Sequence, residues 1–300
     1  MGPTLLVHGT SVPILGVALL GVVVGFVAGV FGIGGGFLTT PLLVVLFRLP
    51  LPIAIGTGLC QMVGTALVAF LRHHKARQGE SRFDLLVLPG SLLGVELGAR
   101  LLTRLAAAGR LTLLAHTVPW ANLVVEGGYV ALLLVVAWSS WRQDHGPVDT
   151  LRYLRPGPLS RVRLGPTIDL PVVGLRNVSA ILIANIGLAL GVLGGLLGIG
   201  GGVALKPVMM YGFGFTIRQS VGTGILAIFV MSCVGTFAHA LRGHVHLGLA
   251  VILLVGGVVS AQIGALYSGR VSGRTLGRVH ASIIVAAVAA VLWDLISKIH

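Results

Sequence analysis

Hydrophobic positions along this chain gather into long unbroken runs, separated by short polar stretches, instead of marking one face of an amphipathic element. Runs of about 20 residues, enough to cross the hydrocarbon core of a bilayer, fall at 12–31, 53–71, 85–105 and 119–141. A second set falls at 178–197, 219–241, 247–268 and 279–297. Two shorter pieces, 37–47 and 203–213, each follow directly on a glycine cluster. Too short to cross, they are predicted to be half-helices or re-entrant segments, which need burial in protein or a cavity to line. The stretch 142–177 is rich in Arg, Pro and Asp and is predicted to be a cytoplasmic, solvent-exposed linker with room for a short surface helix. Three regions follow: a first transmembrane repeat at 12–141, the linker at 142–177 and a second repeat at 178–297.

The halves repeat one another. Shifted by 166 positions, they align without a gap from about residue 21 to 104. Gly21, Gly25, Gly29, Gly32, Gly34–Gly36 and Pro41 fall on Gly187, Gly191, Gly195, Gly198, Gly200–Gly202 and Pro207. Gly56-Thr57-Gly58 falls on Gly222-Thr223-Gly224, and His73 on His239. Five apolar elements per half is an odd number, so the second half enters the membrane from the opposite side and the repeats are expected to be inverted. Charge agrees. With the loop 72–84 placed inside, fourteen of the 21 basic residues lie on the cytoplasmic side and six on the other, as the positive-inside rule requires. Both termini are then expected outside.

Composition narrows the class. Only 10% of the 300 residues are charged and 55% are hydrophobic, whereas a soluble domain carries about 25% charged residues. The 45 glycines suit transmembrane helices that approach closely through small residues. The formal charge of +13 is explained by topology, and no nucleic-acid motif accompanies it. Cys60 and Cys233 lie in apolar stretches and make neither a disulfide framework nor a metal-ligand pair. The N-terminus lacks a basic n-region, so the first run reads as a permanent span and not as a cleaved signal. The fold class expected is an all-α polytopic membrane protein of two inverted repeats, with glycine-broken helices meeting near the midplane of a cell membrane.

Chemistry concentrates at the breaks. Consecutive glycines interrupt a helix, and the half-helix that follows presents free amides and a positive dipole end. Gly34, Gly35, Gly36, Gly200, Gly201 and Gly202 are therefore the candidate anion site, whereas Gly21, Gly25 and Gly29 read as packing positions, where Gly21→Ala is expected to bind substrate nearly as well as wild type. Lys206 adds a cation to the second copy where the first has Thr40. A membrane lysine is costly and usually functional; snorkelling or a pairing with Glu96 are its other uses. Thr57 and Thr223 offer hydroxyls at equivalent points, with Gln61 one turn beyond Thr57; such threonines also back-bond within their own helix. Glu96 lies within an apolar span and is the candidate coupling or gating carboxylate, against a simple ion pair with Arg100. His73 and His239 end equivalent helices and are candidate coupling residues.

The doubled string GVFGIGGGFLTTPLL and GGLLGIGGGVALKPVM, each followed by GTG, resembles the TauE/SafE family of sulfite exporters and anion permeases. The resemblance covers both halves and leaves out the linker. It implies a secondary transporter, an exporter of sulfite or organosulfur anions, with protons as a coupling partner or with none, working by alternating access. Sulfite and sulfonates carry three acceptor oxygens, which a nest of amides and hydroxyls suits. An anion channel or a scaffold without a transport cycle is the alternative. No enzyme motif is present, and neither a cofactor nor a metal is expected.

Overall fold

The computed structural model describes residues 3–32, 34–75, 79–113, 116–141, 156–268 and 273–299. A hairpin of β1 (Thr4–Val7) and β2 (Thr10–Pro13) leads into α1 (Ile14–Phe31), followed by α2 (Gly36–Phe47), α3 (Leu51–Lys75) and α4 (Ser81–Ala107). A second hairpin, β3 (Arg110–Leu113) and β4 (His116–Pro119), precedes α5 (Trp120–Trp141). Past the linker, a third hairpin of β5 (Thr167–Leu170) and β6 (Leu175–Ser179) opens the second half. There follow α6 (Ala180–Leu197), α7 (Gly202–Pro207) with a π-helical turn at Val208–Phe213, and α8 (Ile217–Gly222). The chain ends with α9 (Ile225–Ala240), α10 (Leu247–Ser268) and α11 (Gly273–Ile299).

The all-α polytopic class is what the chain adopts, with three two-stranded hairpins added at the ends of spans. Among the described residues, α1, α3, α4, α5, α6 and α10 are long and apolar enough to cross a membrane. Their outward stripes are leucine and valine: Leu15, Leu19 and Val23 on α1, Leu93, Leu97 and Leu101 on α4, Val251, Val255 and Val259 on α10 are all exposed. Such a surface is stable only against lipid or another apolar face.

Three local expectations are refined. The short pieces are helical, and each carries a proline, Pro41 or Pro207. Proline removes one helical N–H, and after Pro207 the helix loosens into the π turn. The run 219–241 is broken into α8 and α9 at Thr223 (ψ 146°) and Gly224 (φ +90°), whereas Gly56-Thr57-Gly58 stays inside α3. The reason is an acceptor: the Asp84 carboxylate takes the Gly224 N–H at 2.7 Å, and the residue matching Asp84 in the second half is Ala250. The part of the linker that is described holds a short 3-10 helical turn at Pro158–Arg161 and leads into the β5–β6 hairpin; residues 142–155 lie outside the described residues.

The glycines at four-residue spacing let helices of the two halves meet backbone to backbone. A Cβ placed on Gly21 would lie 2.6 Å from the Leu253 carbonyl oxygen, one on Gly25 2.5 Å from Gly257 Cα, and one on Gly29 2.8 Å from Ala261 Cα. In the other half Gly187, Gly191 and Gly195 make the matching approaches to Val87, Ser91 and Val95. Each partner differs from its counterpart by the repeat offset, so α1 sits on α10 as α6 sits on α4.

Candidate functional site

The first break is built by left-handed turns. Gly32 ends α1 at φ +61°, and Gly34 (φ +81°) and Gly35 (φ +83°) turn the chain into α2. The second repeats this with Gly198 (φ +71°), Gly200 (φ +58°) and Gly201 (φ +73°) ahead of α7. Side chains rarely adopt these angles, which explains the glycines. Gly36 and Gly202 are helical, and Gly36 is required by space: a Cβ there would lie 2.7 Å from the Gly198 carbonyl oxygen. The two clusters therefore touch, and all six candidate glycines are buried.

Polar side chains surround the contact. Gln61 is completely buried; its Oε1 accepts from Thr39 Oγ1 in the first turn of α2 at 2.5 Å. Its Nε2 has no hydrogen-bond partner among the described residues. Thr65, one turn along α3, donates to the Gly34 carbonyl at 2.9 Å. Ser232 Oγ lies 3.1 Å from where a Cβ on Gly200 would stand and bonds back to the Ile228 carbonyl. Tyr129 of α5 donates to the Gly36 carbonyl at 3.2 Å. Lys206 reaches across from the second half and donates through Nζ to the carbonyl of Phe31, in the last turn of α1. A cation at a helix C-terminus meets carbonyls that have no helical partner, so Lys206 neither snorkels to the surface nor pairs with Glu96. It stands next to the first break instead.

Other candidates lie elsewhere. Thr57 Oγ1 accepts the His246 N–H at 3.2 Å, and Thr223 Oγ1 accepts the Glu80 N–H at 2.8 Å. Residue 246 is residue 80 shifted by the repeat offset, so these are one bond made twice, each joining the two halves. Glu96 is partly exposed and binds Arg100 Nε at 2.7 Å and Arg242 NH2 at 2.6 Å; the second contact links α4 to the loop after α9. His239 is buried, with Nε2 against the Gly195 carbonyl at 2.9 Å and Nδ1 against His244 Nδ1 at 3.2 Å. A carbonyl can only accept, so Nε2 carries the proton, and in the neutral ring His239 Nδ1 then accepts from His244. Burial and the Arg242 charge beside it push His244, in the loop after α9, below the usual histidine range. The helix α3 includes His73, whose side chain lies outside the described residues.

Several residues escaped the sequence reading. Glu96 was singled out as the embedded carboxylate, yet Glu126 in α5 and Asp84 in α4 are each 4% exposed. Glu126 lines a small crevice with Thr40, Pro41 and Tyr129. Thr39, Thr65 and Ser232 were also missed. The i, i+4 spacing of Gln61 and Thr65 was the available signal, because it puts both on one face of α3.

The described residues form a helical membrane bundle in which two glycine breaks touch, and comparison with known proteins gives its class. The family model for sulfite exporter TauE/SafE matches residues 17–291, and the chain belongs to that family. It is 29% identical over 273 residues to the probable membrane transporter protein YjnA of Bacillus subtilis, covering 90% of this chain and 96% of that protein. The probable membrane transporter protein YunE of the same organism is 26% identical over 266 residues, 86% of this chain and 89% of its own length. A probable membrane transporter protein of Xylella fastidiosa is 26% identical over 280 residues, covering 91% and 92%. No solved structure matches the chain. The protein is thus a multi-pass membrane protein of a transporter family.

Proposed function

We propose that the chain is a secondary transporter, an exporter of sulfite or an organosulfur anion, that works by alternating access of two inverted repeats around one site made by Gly34–Gly36 and Gly200–Gly202. The observation that carries this reading is the contact of the two clusters, together with the buried Gln61 amide beside the first turn of α2. An N–H donor in a low-dielectric interior is costly to leave unmatched, and an oxyanion with several acceptor oxygens matches it together with the first-turn amides. Lys206 supplies one positive charge at the same break. Gln61 has Ala227 as its counterpart, so the donors are supplied unequally by the two halves.

The order of contacts supports inversion. Along α1 and α10 the partners rise together, as they do along α4 and α6. The helices α3 and α9 meet in opposite order, Gly56 near His239, Leu59 near Gly235 and Phe70 near Phe229. By contrast α9 follows α4, from Gly224 and Asp84 to Arg242 and Glu96, and α3 follows α10, from Thr57 and His246 to Gly64 and Val258. The equivalent helices α1 and α6 run in opposite directions in this reading, and the bias of basic residues puts both termini outside and the 142–177 linker in the cytoplasm. In this reading the paired bonds of Thr57 and Thr223 close opposite faces of the site, and the Glu96–Arg242 pair acts as a gate on the outer one. His239 and its counterpart His73 stand near those faces as coupling residues.

The test is calorimetric binding of sulfite, thiosulfate, sulfoacetate, sulfate and acetate to the purified protein. Binding of a sulfur oxyanion in preference to acetate is expected. Gln61→Leu should weaken it about 10- to 150-fold, the worth of a hydrogen bond to a charged group, and Gly35→Leu should abolish it. Unchanged binding in both variants would remove the site. In vesicles a carrier shows saturation and counterflow; an ohmic current would instead make the protein a channel.

A further inference from the structure

We infer that the Met62 side chain is a movable plug that holds the substrate position between the two glycine clusters and leaves it when an anion binds. The inference rests on the site proposed above and assigns to it a residue that decides access and the size of anion accepted.

Met62 is fully buried in the middle of α3. Its thioether lies over both clusters at once. A Cβ on Gly34 would lie 2.6 Å from Met62 Cε, one on Gly36 3.2 Å from Met62 Cγ, and one on Gly200 3.0 Å from Met62 Sδ. Glycines of the first half and of the second are thus covered by one side chain. It stands next in sequence to Gln61, whose Nε2 has no partner among the described residues. The other end of that carboxamide, Oε1, accepts from Thr39 Oγ1 in the first turn of α2.

The thioether is a weak acceptor, so Met62 fills the space at the two clusters by packing and not by hydrogen bonding. Methionine is unbranched and has three rotatable side-chain bonds, so it changes shape at small cost. The repeat counterpart of Met62 is Ile228, whose Cγ2 lies 3.2 Å from the same Gly34 Cβ position. Ile228 is β-branched and stiff at χ1. The two equivalent residues therefore meet over Gly34, and only one of them is built to swing. An anion entering between the clusters must move Met62, because its side chain fills the space over Gly34, Gly36 and Gly200.

The experiment labels the five methionine methyl groups with carbon-13 in the full-length protein in detergent. Met62→Leu assigns the Met62 signal, and sulfoacetate is titrated while binding is measured by calorimetry. The Met62 methyl resonance is expected to move and sharpen in step with binding. Met62→Ala should bind sulfoacetate about tenfold tighter or more, because the cost of displacing the plug is gone, and Met62→Leu, which keeps the volume, should not. If sulfoacetate binds the wild type but the Met62 signal stays fixed through saturation, the plug is refuted while the site stands. The same holds if Met62→Ala folds and binds no more tightly. If no sulfur oxyanion binds the wild type, or Gly35→Leu binds as well as wild type, the site itself is lost and the plug with it.

Discussion

At the scale of single residues, the burial of a polar atom matters more than its position in a motif. Gln61 and Thr57 share one face of α3, yet Thr57 is tied to the His246 N–H while Gln61 keeps a buried amide without a partner among the described residues. The same distinction separates the histidines. His239 is fixed by Gly195 and His244, and His244 sits in a loop where burial and Arg242 disfavour its charged form. Lowering of the folded-state pKa means that the unfolded chain binds the proton more readily. The contribution of His244 to stability is therefore present above about pH 6.5 and falls away as the pH drops below it. Thermal unfolding followed from pH 7.5 to 5 should show a decline that is smaller in His244→Asn.

Among elements, the stability of the bundle rests on pairs of helices in backbone contact. Gly25 faces the Gly257 Cα and carbonyl, and Gly21 faces the Leu253 carbonyl. These neighbours are backbone and cannot turn aside, so even a methyl group forces the helices apart. Gly21→Ala, expected to bind the anion nearly as well as wild type, should therefore cost stability while affinity is kept. Gly25→Ala should destabilise the protein by about 1–3 kcal/mol, the usual cost of overpacking, seen as a lower midpoint in thermal unfolding, with anion affinity in the folded fraction little changed. The Glu96–Arg242 contact joins α4 to the loop after α9 and is partly exposed. Glu96→Gln should therefore change stability by less than about 1 kcal/mol, yet raise the rate of anion exchange in vesicles if the pair is a gate. An unchanged exchange rate would leave the pair a surface contact.

For the whole molecule, the matched approaches of α1 to α10 and of α6 to α4 make the halves interdependent: neither buries its glycine face alone. The inverted arrangement predicts that reporters or cysteines placed at Met1 and His300 are labelled from outside intact cells, while one in 142–177 is labelled only after permeabilisation. Termini labelled from opposite sides would refute it.

Much of this was legible in the order of residues. Apolar runs, charge bias and a string repeated at one offset determined the membrane class, the short half-helices and the glycine breaks, because lipid forces backbone bonds inward and so imposes length and periodicity on the sequence. Packing glycines at 21, 25 and 29 were legible for the same reason. What only the tertiary structure decided is which polar groups meet. The partners Thr223 and Glu80, Asp84 and Gly224, Lys206 and Phe31, and Glu96 and Arg242 lie more than 130 residues apart. No local spacing encodes such contacts. They arise where helices of one half cross those of the other, and the break in one repeat, absent from its twin, coincides with an acceptor present on one side only, Asp84 against Ala250.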